Sequence, residues 1–133
     1  MASVKPFKAL RPTVESVRQV ASRPYDVLNS KEAKEEAAGN ALSFLHITKA
    51  EIDLPDTIDT YTQQVYDKAK QNLNDFISKG VLFREGIPCY YIYQLVMNGR
   101  SQTGLVCVSS LDDYEKGIIK KHELTRPEKE LDR

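Results

Sequence analysis

The chain has 133 residues and a mass of 15.1 kDa, enough for one domain that buries a core without disulfides or metal. Lysine plus arginine and aspartate plus glutamate each total 19, so net charge is zero and no long run of one sign stands out. That balance argues against nucleic acid and anionic lipid as partners. No apolar segment follows Met1-Ala2-Ser3-Val4-Lys5-Pro6, and no run of about 18 uncharged apolar residues occurs, so the expected location is the cytoplasm, with no membrane partner.

Val4 to Leu10 alternates weakly and ends at Arg11-Pro12, which predicts a first strand stopped by its proline. Thr13 then caps a short helix carrying Val14, Val17 and Val20 on one face. Ser22 to Leu28 is expected as an extended turn, because the residue before Pro24 is pushed out of the helical region. Asn29 or Ser30 caps a charged, exposed helix from Lys31 to Ala38, closed by Gly39-Asn40. Phe44 to Thr48 is predicted as a short strand carrying His46, and Asp53 to Asp56 as loop.

The clearest element runs from Asp59 to Lys79. Tyr61, Val65, Ala69, Leu73, Phe76 and Ile77 recur at helical spacing, and Gly80 terminates them. A meander follows, with strands at Val81 to Arg84, Cys89 to Met97 and Ser101 to Ser109. Asn98-Gly99 is a two-residue hairpin turn, and pairing outward from it sets Met97 against Arg100, Tyr93 against Gly104, Tyr90 against Cys107 and Cys89 against Val108. The two thiols then face opposite ways, as small packed hydrophobes without a disulfide. Cys89, Cys107, His46 and His122 have no zinc-ligand spacing, so no metal site is expected from them. Leu111 to Lys116 is expected as one helical turn started by Asp112, and Gly117 to Lys121 as a last strand delivering His122 and Glu123. Mixed helices and strands without βαβ alternation predict an α+β fold, a mainly antiparallel sheet with one long packing helix and several short helices.

Thr125 and Glu128 form a capping box with Pro127 in the first turn, yet only nine residues remain from Thr125 onward. A helix that short is marginal, so the chain is expected to be the amino-terminal fragment, as a single domain, of a longer protein. Mechanistically worked-out motifs such as the phosphate-binding glycine loops, the serine elbow and the zinc-protease helix are absent. The softer signals begin with His122 and Glu123, followed by Arg126 at a helix start. With Lys121 they suit an anion such as phosphate, and either of the first two can accept a proton. The competing reading is an ordinary solvated helix start. Asp26, flanked by Tyr25 and Val27 on a proline-stiffened turn, is a candidate desolvated base or metal ligand, or else an acceptor for its own turn. His46 alternates with Leu45 and Ile47, the usual setting of a satisfied structural histidine. Tyr90, Tyr91 and Tyr93 have no basic surround, so packing explains them better than base stacking.

Several longer strings can be compared with known families: Ala21-Ser22-Arg23-Pro24-Tyr25-Asp26-Val27, Ser43-Phe44-Leu45-His46-Ile47-Thr48-Lys49, Tyr91-Ile92-Tyr93, Ser101-Gln102-Thr103-Gly104, and Lys120 to Glu130. In order and across its length, the chain resembles the amino-terminal part of a prokaryotic domain-of-unknown-function family, number one thousand and fifteen in its series. Members of that family extend well beyond this length and carry an Asp-Gly-His-His-Arg segment that this chain lacks. That segment looks like the phosphate-gripping box of the ParB and sulfiredoxin superfamily, which includes kinases acting on free serine. One departure is Arg23, where the family has a first proline before Tyr-Asp.

The resemblance implies a small-molecule phosphotransferase, free-serine-kinase-like, whose site is completed by a carboxyl-terminal part and whose fragment is inactive alone. Asp26, Glu123 and His122 would be the catalytic residues, and Tyr25, Lys121, Arg126 and His46 would contact substrate. The cofactor stays open, with a nucleotide or pyrophosphate carrying magnesium as the candidate. The partners implied are a small-molecule substrate, the rest of its own chain and, should an apolar face stay exposed, a second copy. The alternative is a non-enzymatic regulatory or DNA-associated adaptor, or a purely structural domain.

Overall fold

A computed structural model describes residues 1–120. They form an α+β chain of short helices and antiparallel strand pairs, divided into two compact units. One comprises Leu10–Glu85; the other comprises residues 1–9 and the described residues from 86 to 120.

In the Leu10–Glu85 unit, β2 (Leu10–Pro12) pairs antiparallel with β3 (Leu82–Arg84), Pro12 standing opposite Leu82 as the last residue of its strand. Helix α1 is shorter than predicted, Val17–Val20, and Ser16 rather than Thr13 occupies its cap position. Thr13 and Ser16 hydroxyls lie 2.9 Å apart, and the Ser16 hydroxyl donates to the Val81 carbonyl. That tertiary bond shifts the start. Val20 is buried while Val14 is 86% exposed, so the three valines do not share a buried face.

Of the two expected caps of helix α2 (Ser30–Ala37), Asn29 is the one used, and it forms a capping box: Asn29 accepts from the Glu32 N–H, and the Glu32 carboxylate accepts from the Asn29 N–H, both at 2.9 Å. It is not exposed all round, because Ala33 and Ala37 are buried with Leu28, Leu45 and Ile52 in one of two small cores. The second core gathers Val20, Phe76 and Leu82. The segment Phe44 to Thr48, predicted as a strand, is helix α3 (Leu45–Thr48) with Phe44 at its cap. Five residues that alternate also place Phe44, Leu45 and Ile47 on adjoining parts of a helical surface, and packing chose the helix. A 3-10 turn, Ala50–Asp53, follows.

Helix α4 (Gln63–Ser78) is the long packing helix, and Gly80 beyond it has φ 69°, the left-handed stop that glycine permits. It begins later than Asp59 because the Asp59 carboxylate accepts from the Tyr61 N–H at 3.0 Å and holds a turn there, leaving Tyr61 83% exposed. Its buried face is Val65, Asn72 and Phe76.

The other unit contains β1 (Val4–Lys5), β4 (Tyr91–Met97), β5 (Arg100–Val106), β6 (Val108–Ser109) and α5 (Leu111–Glu115). The hairpin register is as predicted, Met97 opposite Arg100 and Tyr93 opposite Gly104. The ladder stops at Tyr91 opposite Val106, however, and Val108 and Cys89 find other partners, Lys5 and Phe7. No three-stranded meander forms, because β3 pairs with β2 and not with β4. The Phe7 and Tyr91 rings meet edge to face with centroids 5.2 Å apart, and the Tyr91 hydroxyl donates to the Phe7 carbonyl at 3.0 Å. Both cysteines are free thiols. Ser110 rather than Asp112 caps α5, and Gly117 to Lys120 is a turn rather than a strand, the Ile118 and Ile119 N–H groups closing onto the Asp113 carbonyl. Among the described residues no helix is long and apolar enough to cross a membrane.

Candidate functional site

Tertiary contacts place the chemically dense region in the Leu10–Glu85 unit, where the start of α2, the Ala50–Asp53 turn and the segment leading into α4 leave two adjoining clefts. The first, about 500 Å³, is lined by Tyr25, Ser30, Lys49, Glu51, Tyr61 and Tyr66 among others. The second, about 420 Å³, is lined by Ser30, Lys31, Lys34, Glu51, Asp56 and Thr60 with Pro55 and Ile58. Ser30, Glu51 and Thr60 belong to both.

Glu51 is the pivot. One of its carboxylate oxygens accepts from the Ser30 hydroxyl at 2.9 Å and lies 3.3 Å from the Lys49 ammonium. The Lys49 and Glu51 side chains are only 15% and 9% exposed, so the pair is largely shielded from solvent and removing either partner strands the other. At the outer end of the second cleft Lys34 donates to Asp56 at 2.6 Å, and that hydrogen bond holds the Asp56 carboxyl below its usual range. Lys31 lines the same cleft, exposed.

Behind the clefts lies a polar knot. His46 Nδ1 is 2.7 Å from one Asp53 carboxylate oxygen, and Nε2 is 3.1 Å from the Asn40 carbonyl. The buried Asn72 side chain donates to the other Asp53 oxygen at 2.7 Å and to the His46 carbonyl at 2.6 Å. Each ring nitrogen of His46 thus faces an oxygen acceptor. The knot ties α3, the Ala50–Asp53 turn and α4 together. His46 has both ring nitrogens engaged, and it lines neither of these two clefts but a third, of about 510 Å³, beside Lys34, Asn40 and Ile52.

Tyr25 lines the first cleft, on a 3-10 turn, Tyr25–Val27, where an extended turn was expected. Asp26 on that turn is exposed rather than desolvated, because the short turn leaves Tyr25, Asp26 and Val27 all unburied. Arg23 does not turn toward it; its Nε donates to Glu36 at 2.6 Å. Lys121, His122, Glu123 and Arg126 lie outside the described residues. Lys49, Glu51, Ser30 and the two clefts escaped the sequence reading, since single polar residues on short turns carry no periodicity or motif.

The Arg23–Glu36 pair makes a pH prediction. The hydrogen bond from Arg23 holds the Glu36 carboxyl below its ordinary 4.5, so its contribution to stability is complete above that value and is lost as pH falls through the depressed one. A carboxyl-carbon NMR titration is expected to place Glu36 below 4.5 and Arg23→Ala to return it there; an unchanged midpoint in the variant contradicts the pairing.

Fold and site together define an α+β protein with a two-lobed polar cleft. The chain belongs to the family described as Protein of unknown function (DUF1015), whose profile matches residues 4–133. Neither the curated proteins nor the solved structures contain a match to it.

Proposed function

We propose that the chain supplies acceptor and donor clefts of a small-molecule phosphotransferase, free-serine-kinase-like, whose site a carboxyl-terminal part completes. The observation that carries this reading is the pair of clefts sharing Ser30, Glu51 and Thr60, one edged by lysines and one by tyrosines. Group transfer needs an anionic donor and a hydroxyl acceptor held side by side with a proton acceptor between them. Lys31 and Lys34 suit the donor phosphate. Tyr25, Tyr61, Tyr66 and Lys49 suit a small acceptor with an acidic group.

In the transfer, the acceptor hydroxyl oxygen attacks the terminal phosphorus, the bond from that phosphorus to the donor's bridging oxygen breaks, and the hydroxyl proton passes to Glu51. The shortened donor leaves as the anion. Asp26 stands exposed beside Tyr25, and in this reading it orders the acceptor. Lys121, His122, Glu123 and Arg126 keep the phosphate-holding role that the family resemblance implies, the proton going to Glu51. Magnesium travels with a nucleotide or pyrophosphate donor; it commonly takes one or two carboxylates beside substrate phosphates, and Glu51 and Asp56 are the carboxylates lining the donor cleft. Among the described residues no three His, Cys, Asp or Glu side chains cluster, and no step above passes through the ion.

Calorimetric titration of the protein with serine, ATP and pyrophosphate tests the reading. At least one is expected to bind, with Lys49→Ala weakening the acceptor about tenfold, as the loss of a charge-assisted hydrogen bond does. Silence toward all three, or DNA binding with a steep salt slope, refutes it in favour of the adaptor alternative.

A further inference from the structure

None of the described residues of the 1–9 and 86–120 unit is buried. Its longest element, the β4–β5 ribbon, exposes apolar side chains on both faces: Ile92, Val96 and Leu105 on one, Tyr93, Leu95 and Met97 on the other. Two-stranded ribbons are marginal alone. Edge strands are normally protected by charge, proline or a bulge, yet from Tyr91 to Val106 the sole charged side chain is Arg100 and there is no proline.

The turn fixes which backbone groups face away from the partner strand. Asn98 and Gly99 have φ 51° and 75°, and Met97 stands opposite Arg100. In such a two-residue turn the closing pair is hydrogen bonded, so Tyr91, Tyr93, Leu95 and Met97 aim their N–H and C=O groups at β5. Ile92, Gln94 and Val96 aim theirs outward.

The sequence of β4, Tyr-Ile-Tyr-Gln-Leu-Val-Met, is a chemical palindrome about Gln94. Antiparallel pairing with the β4 of another copy, two-fold at Gln94, sets Gln94 opposite Gln94, Ile92 opposite Val96, Tyr93 opposite Leu95 and Tyr91 opposite Met97. Apolar meets apolar throughout, and the outward groups fall in register for about six inter-strand bonds. The outer edge of β5 lacks this property: centred on Thr103 it opposes Ser101 to Leu105 and Arg100 to Val106. The two copies of Arg100 end up at opposite ends of the four-stranded sheet, about 25 Å apart and beyond the Debye length.

We propose that the outer edge of β4 is a homodimerisation edge, joining two copies into a four-stranded antiparallel sheet centred on Gln94. Sedimentation equilibrium of this chain between about 1 μM and 1 mM tests it, the range in which an interface confined to one strand edge is expected to associate. The mass is expected to rise from 15.1 kDa toward twice that value. Gln94→Lys opposes two like charges at the two-fold and is expected to weaken association by at least about tenfold, while Thr103→Lys on the other edge changes it less than about twofold. Circular dichroism checks that each variant folds, and Val96→Lys replaces Gln94→Lys should that variant unfold. A monomer at every concentration assigns the edge to some other partner and overturns the proposal, as does association that survives Gln94→Lys or is lost with Thr103→Lys.

Discussion

Glu51→Gln, in a form of the protein active in phosphoryl transfer, is expected to lower turnover by about 10²–10⁴-fold, the usual contribution of a positioned general base. The substitution keeps the side-chain shape and an oxygen that can accept from Ser30, but it removes the charge that faces Lys49 and would take the acceptor proton. Acceptor affinity is expected to move far less than turnover, because the tyrosines of the first cleft are untouched. Thermal stability should fall modestly, since Lys49 loses its counter-charge in a half-closed position. Steady-state kinetics beside a melting curve separates these effects. A variant that loses stability and keeps its turnover number makes Glu51 a structural residue and moves the proton acceptor elsewhere. Asp26→Asn is the natural companion: an exposed carboxylate that orders the acceptor raises KM when neutralised, whereas one that accepts the proton lowers kcat.

Leu45→Ala should be the most destabilising single change in the Leu10–Glu85 unit, at about 2–5 kcal/mol. Leu45 is 0% exposed and packs with Leu28, Ala33, Ala37 and Ile52, two of which are alanines with no further side chain to fill a void. The same core carries the Ala50–Asp53 turn that presents Lys49 and Glu51. Chemical denaturation is therefore expected to show the lost stability, and ligand titration a weakened first cleft at temperatures where the variant is still folded. A loss below about 1 kcal/mol would mean that the small core collapses around the gap and bears little of the unit's stability.

Much of the framework could be read from residues alone, for reasons that are local. Helix α4 repeats its apolar face over four turns, long enough for the period to outweigh any single residue, and Gly80 marks its end. Asn29 and Glu32 satisfy each other's backbone groups without help from elsewhere, so the start of α2 is written in four residues. Asn98-Gly99 admits few turn geometries, and the register from Met97–Arg100 to Tyr93–Gly104 follows from counting outward. The membership in an uncharacterised family is equally a property of the string.

The misreadings share one cause. Phe44 to Thr48 and the described part of Gly117 to Lys121 are short, and over four or five residues intrinsic preferences differ by less than one buried side chain contributes, whereas Val81 to Arg84 is a strand as expected and only its partner was misread. Their outcome was settled by partners outside each segment: Leu45 by its core, the pairing of Leu82 by Pro12 on β2, and Ile118 and Ile119 by the Asp113 carbonyl a helical turn earlier. The candidate site belongs wholly to this second category. Ser30 and Glu51 are twenty-one positions apart, Asn72 and Asp53 nineteen, and neither pair leaves a trace in composition or spacing. Periodic burial and local capping are encoded along the chain because neighbours enforce them, whereas a cleft exists only after nonlocal packing has brought side chains together that no local interaction relates.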